Sequence, residues 1–397
     1  MSVADVVERQ MGHVAGLRHE LHRIPELGYQ EIKTAAAIRR ELDRLGVAHT
    51  DGVPGAPTAT VAVIGDVKKP CIGLRADIDA LPIVEQTGVG YASTHPGLMH
   101  ACGHDGHTAT LLGVAGVLKG MEKQLPVCVK LFWQPAEEGG AGAEKLIEGG
   151  LLDGRLGPKV EAVFGLHGWP GLKVGTIATK PGALLAATDN FVATFVGVGC
   201  HGAYPHLGAD PIVAACEAVV NLQQFVSREV DPTDSAVITV GVMNAGTAIN
   251  IIPDTASIEA TARTLTAETR RKVEKAVRRR CTGIAQASGC ELRFEWHQGY
   301  PCTVNDPRMA DYVAKVARKA LGEERFVPVA RPSMGGEDFA YYLEKVPGCF
   351  FLVGVEPADR VGYPPLHSDR YDFTDGALGV GMRIFVELVT NGEDKSE

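Results

Sequence analysis

The sequence predicts an α/β catalytic domain, a mixed sheet flanked by helices, interrupted by an inserted ferredoxin-like α+β domain. Three observations carry that prediction. Short β-rich runs alternate with helical patterns over residues 1–184. The order strand, helix, strand, strand, helix, strand then fills 185–297, which is a split βαβ. The α/β pattern resumes over 298–397, so the catalytic domain is expected in two parts around the insert. A chain of 397 residues has the length for two cores.

Taken in order, apolar positions recur at three- and four-residue spacing from Val6 to Ile24, Pro25 stops this helix, and Gly46 ends a second one. β-rich runs follow at 58–65, 71–77, 127–133 and 160–167, with a helical pattern at 107–121 among them. The insert reads as strand 190–198, helix 209–227, strands 235–243 and 255–263, helix 267–287 and strand 291–297. A helix at 307–321 and a strand at 349–355 return to the first pattern.

Composition excludes several classes of partner. Hydrophobic residues at 45% and charged residues at 22% are ordinary for a globular enzyme. The net charge of −9, with no basic cluster larger than Arg278-Arg279-Arg280, argues against nucleic acid. Asp5 and Glu8 stand where a signal peptide needs basic and then apolar residues, and no apolar run reaches about 18 residues, so a cytoplasmic protein without a membrane partner is expected. Nine cysteines, with no CxxC pair, fit buried thiols in a reducing compartment. Cys102 alone has suggestive neighbours.

Those neighbours are in "HACGHDGH", residues 100–107, where Cys102 and His104 alternate around Gly103 and would face one side of an extended turn. Other strand ends add donors. The run 127–133 leads into Glu137 and Glu138, the run 160–167 ends in His167, and "PPLHSD" brings His367. An α/β sheet collects its ligands beyond such ends. Two divalent metals sharing a ligand need about five to seven protein donors, and Cys102, His104, Glu138, His167 and His367 supply five. A thiolate can bridge two cations. Glu137 is then left beside them as a general base for the attacking water. The alternative, Cys102 as a nucleophile with a histidine base, leaves the glutamate pair without a role.

The motifs "LRHELHRIPELGYQE", "GLRADIDALPI", "HACGHDGHTATLLG", "QPAEEG", "GLHGWP", "GAYPHLGADP", "NIIPD", "GGEDFAYY" and "LHSDRYDF" run in order almost end to end. With them the chain resembles the aminoacylase and carboxypeptidase metallopeptidase superfamily, in the branch of hippurate hydrolases, N-acyl-L-amino acid amidohydrolases and indole-acetyl-amino acid hydrolases. The resemblance implies a two-metal amidase whose inserted domain is lid and dimer interface. It implies Cys102 as the bridging ligand, His104 and His167 on one metal, Glu138 and His367 on the other, and Glu137 as general base. Where the wider superfamily has a ligand histidine two residues before an aspartate, this chain has Arg75 before Asp77, which implies an orienting role for Asp77. By position, His201 resembles a histidine given to the neighbouring subunit to stabilise the oxyanion. Asn250 and Arg263 resemble residues that bind the substrate carboxylate. Gly335, Gly336 and Glu337 would shape the pocket wall.

The expected reaction is hydrolysis of a small N-acyl-L-amino acid to a carboxylic acid and a free amino acid, by a homodimer or larger homo-oligomer. Zinc or manganese is expected first, and cobalt or nickel is compatible with the donors. A dipeptidase or carboxypeptidase would share these residues. A non-catalytic metal-binding scaffold would have no use for an unligated Glu137.

Overall fold

In the computed structural model residues 2–360 and 362–391 are described, so the outer limits expected for the catalytic segments, residues 1 and 397, lie outside the described residues. The chain divides into two compact units. The first holds residues 1–184, 304–330 and 338–397, and the second holds 185–303 and 331–337.

The first unit opens with helix Val3–Arg23, started by a reciprocal cap in which Ser2 Oγ accepts the Asp5 N–H and the Asp5 carboxylate accepts the Ser2 N–H. Helix Ile32–Leu45 stops at Gly46, whose φ of 64° breaks the helical path. The sheet has eight strands in the order His49–Val53, Ala56–Ile64, Cys128–Gln134, Cys71–Asp77, Val160–Lys173, Gly348–Glu356, Ile177–Thr179, Phe326–Pro328. Cys128–Gln134, Cys71–Asp77, Val160–Lys173 and Gly348–Glu356 are mutually parallel neighbours, flanked by antiparallel pairs. Every residue of Cys128–Gln134 and Gly348–Glu356 is buried, which is why both read as largely apolar runs, broken in the first by Lys130, whose ammonium donates to the Leu151 and Leu156 carbonyls at 2.6 Å. Helices Val3–Arg23, His104–Gly120 and Gly376–Thr390 pack on one another.

Several elements differ from the sequence expectation. The run at 58–65 is the second strand of a hairpin, His49–Val53 with Ala56–Ile64, joined at a turn where Gly55 has a φ of 82°. The strand expected to end at His167 continues to Lys173, because Gly168 and Trp169 stay paired with Val353 and Gly354. Helix Gly376–Thr390 was not expected; it is apolar almost all round and lacks a polar face to mark its period.

The second unit is a four-stranded antiparallel sheet in the order Ala236–Ala245, Thr255–Thr264, Ala187–Val196, Glu291–Gln298, with helices Pro211–Arg228 and Ala267–Ala287. Alternating Phe191, Ala193 and Phe195 meet Ala214, Ala218, Leu222, Val273 and Val277 in its core. Asp210 caps the first helix and Thr266 the second. The unit runs past residue 297: Gly299 N–H donates to Asp189 at 3.1 Å, and Thr188 and Tyr300 bond through Thr188 N–H to Tyr300 O at 2.9 Å. Among the described residues no helix is long and apolar enough to cross a membrane.

Candidate metal centre

The parallel strands Cys71–Asp77 and Cys128–Gln134 end side by side, with Asp77 opposite Gln134. The candidate site grows from those ends. Gly103 has a φ of 88°, and a Cβ there would lie 2.9 Å from Tyr371 Oη and 3.0 Å from Phe373 Cδ2. Only glycine fits this turn. The turn is thus left-handed, where the sequence suggested an extended one, and helix His104–Gly120 begins at His104, three residues before the expected start at 107. The reversal at Gly103 brings the two side chains together. The donor atoms of Cys102, His104 and His167 lie within 4.8 Å of one another, and so do those of Cys102, Glu138 and His367. Two donor triplets therefore share one sulfur.

Each donor is held at its far side. His104 Nδ1 lies 2.9 Å from the Asp79 carbonyl and must carry the proton, which turns Nε2 inward. His104 Nε2 is buried with no hydrogen-bond partner. His167 Nδ1 donates to Gly168 O at 2.8 Å, and its Nε2 is 3.3 Å from Cys102 Sγ. The Glu138 N–H donates to Asp79 Oδ2 at 2.9 Å. His367, exposed and at a φ of 63°, ties its N–H to Ala101 O at 2.8 Å and puts Nε2 3.1 Å from Glu138 Oε1. Glu137 is buried; one carboxylate oxygen comes within 4.8 Å of His104 and Glu138 donor atoms, and Oε1 accepts the Asp338 N–H at 3.4 Å.

Asp77 is committed elsewhere. Its Oδ1 is 2.6 Å from His107 Nδ1 and its Oδ2 takes a bond of 2.7 Å from Arg75. His107 Nε2 in turn accepts the Gly168 N–H at 2.7 Å, so neither nitrogen of His107 is open to an ion. Arg75 also reaches Gln134 at 2.9 Å and Asp338 at 3.0 Å. Sequence reasoning missed Asp79, His107 and Asp338. The one available signal was the spacing of Asp77 and Asp79, two residues apart at a strand end.

The electrostatics fit a divalent cation. Burial, with Glu138, Glu137 and Asp77 close by, pushes the Cys102 thiol well above its usual range. Burial opposes a charge on His104, yet Asp77 and Asp79 hold its imidazolium up to about 10. Burial and the neighbouring His107 hold His167 well below the usual histidine range, hence neutral. Negative charge that favours a proton on His104 and disfavours a bare thiolate favours a metal ion at the same place, and metal binding would release both protons.

The remaining candidates are on the second unit. His201, exposed, lies in a short strand opposite Ile251, and its Nδ1 accepts the Ala203 N–H at 3.0 Å. Asn250, also exposed, accepts the Gly202 N–H on its carbonyl at 2.8 Å, so His201 and Asn250 occupy one small lobe. Arg263 is half-buried on strand Thr255–Thr264, and burial lowers its pKa. Gly336 is exposed and packs on Thr188, while Glu337 is buried.

The family description "Peptidase family M20/M25/M40" matches residues 73–391. The chain is 44% identical over 360 residues to an N-acetyl-L-cysteine deacetylase of Bacillus subtilis, covering 89% of this chain and 83% of that one. It is 36% identical over 388 residues to a hippurate hydrolase of Campylobacter jejuni, covering 97% and 98%. Among solved structures, a dinuclear metal binding peptidase of Bacillus subtilis from the M20 family superposes with a TM-score of 0.83 at 38% identity, covering 96% of this chain and 98% of that one.

Proposed function

The chain belongs to peptidase family M20/M25/M40, and from that premise we propose that it is a two-metal amidohydrolase cleaving N-acyl-L-amino acids to a carboxylic acid and a free amino acid. The observation that carries this reading is the pair of donor triplets sharing Cys102, with Glu137 beside them. The activities named for the deacetylase and hippurate hydrolase relatives support the substrate class.

In this reading Cys102, His104 and His167 would hold one ion, and Cys102, Glu138 and His367 would hold the other. When bound, two divalent ions supply Lewis acidity toward the amide carbonyl and make water more acidic. Glu137 takes the proton of the attacking water on a carboxylate oxygen and returns it to the leaving amide nitrogen. Asp77, bonded to His107 and Arg75, orients the centre from behind. Arg263 and Asn250 hold the substrate carboxylate, His201 stabilises the oxyanion, and Gly336 forms wall. The donor set of thiolate, imidazole and carboxylate suits zinc or manganese and accepts cobalt or nickel.

The second unit acts as lid and dimer interface. Its edge strand Ala236–Ala245 is mostly exposed and carries Val237, Val242 and Met243 outward, and helix Pro211–Arg228 exposes Val213 and Val220 seven residues apart on one face. An unpaired edge beside an apolar helix face supports pairing with a second copy. The cytoplasm is the expected compartment, supported by nine cysteines that are all free thiols.

The test is release of free amino acid from hippurate and from N-acetyl amino acids, with dipeptides as competitors, before and after chelation. Turnover of N-acyl amino acids, abolished by chelator and restored by zinc or manganese, is the expected result. Turnover of dipeptides alone would overturn the reading in favour of a peptidase.

A further inference from the structure

The motif "LRHELHRIPELGYQE" has no part in the chemistry above, yet its end touches the turn that carries the two glutamates. Ala136, just before Glu137, has a φ of 55°, a left-handed conformation that an alanine disfavours. A turn of that kind persists only when its surroundings impose it. Glu31, wholly buried, accepts the Ala136 N–H on Oε1 at 2.9 Å and the Thr58 hydroxyl on Oε2 at 2.7 Å. Tyr29 Oη donates to Gly140 O at 2.7 Å on the far side of the glutamates. Gly28 lies so close that a Cβ there would be 2.9 Å from the Ala136 Cβ.

We propose that Gly28–Glu31 is a clamp that holds the 136–140 turn left-handed at Ala136 and thereby aims Glu137 and Glu138, with Glu31 and Tyr29 as positioning residues. The proposal rests on the metal-centre reading above. Without the Glu31 acceptor, Ala136 relaxes to negative φ, and the two glutamates leave the backbone in new directions. Glu137 then loses its place as base, and Glu138 loses its ion. The contacts of Glu31 with the turn run through backbone, so substrate binding is little affected.

Four variants test this: Glu31→Ala, Glu31→Gln, Tyr29→Phe and the double variant Glu31→Ala with Ala136→Gly. Two readouts are needed, the kcat and KM for hippurate and a titration of apo-protein with cobalt(II) followed by visible absorption. Glu31→Ala should lower kcat at least about tenfold with KM within about twofold, and weaken one of two cobalt ions at least about tenfold. Glu31→Gln keeps the carbonyl acceptor and should stay within about threefold of wild type. Glycine adopts the left-handed turn unaided, so the double variant should recover at least about half of the logarithmic loss. Full kcat and unchanged cobalt binding in Glu31→Ala would overturn the clamp, as would a loss that neither Glu31→Gln nor Ala136→Gly relieves. If Glu31→Ala does not fold, Tyr29→Phe decides: it should lower kcat at least about threefold at constant KM, and wild-type kcat overturns the proposal. A wild-type protein inactive on every N-acyl amino acid would sink the functional reading, while the cobalt titration would still decide the clamp.

Discussion

Glu137 and Glu138 are neighbours in sequence with different surroundings. Glu138 faces His367 and Cys102, whereas Glu137 is buried, with Oε1 accepting the Asp338 N–H. If Glu137 is the proton carrier proposed above, Glu137→Gln should lower kcat at least about a hundredfold with both metals retained. Glu138→Gln should release metal. Elemental analysis of the two purified variants checks the assignment, and the opposite pattern of metal loss would reverse it. The candidate donors that the fold brings together were legible because thiol, imidazole and carboxylate at strand ends have few other uses. The residues that aim them were not: Asp79 reaches His104 across 25 positions and Arg75 reaches Asp338 across 263. Only the folded sheet brings those partners together.

Helices Val3–Arg23 and His104–Gly120 are joined by a buried charge cluster. Arg18 bonds to Asp105 at 3.2 Å and Asp372 at 2.9 Å, and His22 lies 2.9 Å from Asp105 and 3.3 Å from Glu85. Burial opposes charge on His22, but Asp105 and Glu85 outweigh it and raise its pKa to about 9. A folded-state value above the ordinary 6.5 means stabilisation that is full below pH ~6.5 and lost as pH rises through about 9. Its size is on the order of a few kcal/mol. Urea unfolding should show wild type losing stability between pH 6 and pH 10, with most of that loss absent from His22→Gln. Equal slopes in both proteins would remove His22 from the account. Both helices were legible, the first from its apolar spacing and Pro25 and the second as a helical pattern over 107–121, although the start of the second was hidden because Gly103 acts as a cap where it reads as loop. Strands Ile177–Thr179 and Phe326–Pro328 were not legible, since three residues cannot display an alternation.

At the scale of the whole molecule, the second unit holds His201 on an exposed lobe, apart in sequence from every candidate metal donor. If a partner subunit uses that histidine, Glu137→Ala and His201→Ala should each be nearly inactive alone. Co-refolded together, about half of the dimers are mixed and one of their two sites is complete, so roughly a quarter of wild-type activity should return. Activity that stays at the single-variant level after proven subunit exchange would rule out sharing. The insert has a further consequence, for synthesis on the ribosome. Strand Gly348–Glu356 sits inside the sheet, between Val160–Lys173 and Ile177–Thr179, yet it is translated after the whole second unit. At roughly 5–20 residues per second, the nascent first unit waits about 10–40 seconds with an apolar strand edge open, while the ferredoxin-like unit, whose four strands all lie within 185–303, can already close. Chains stalled after residue 345 has emerged should therefore resist protease over the insert while binding holdase chaperones through the first unit, and the chaperone signal should disappear, with the insert still resistant, once residue 391 has emerged.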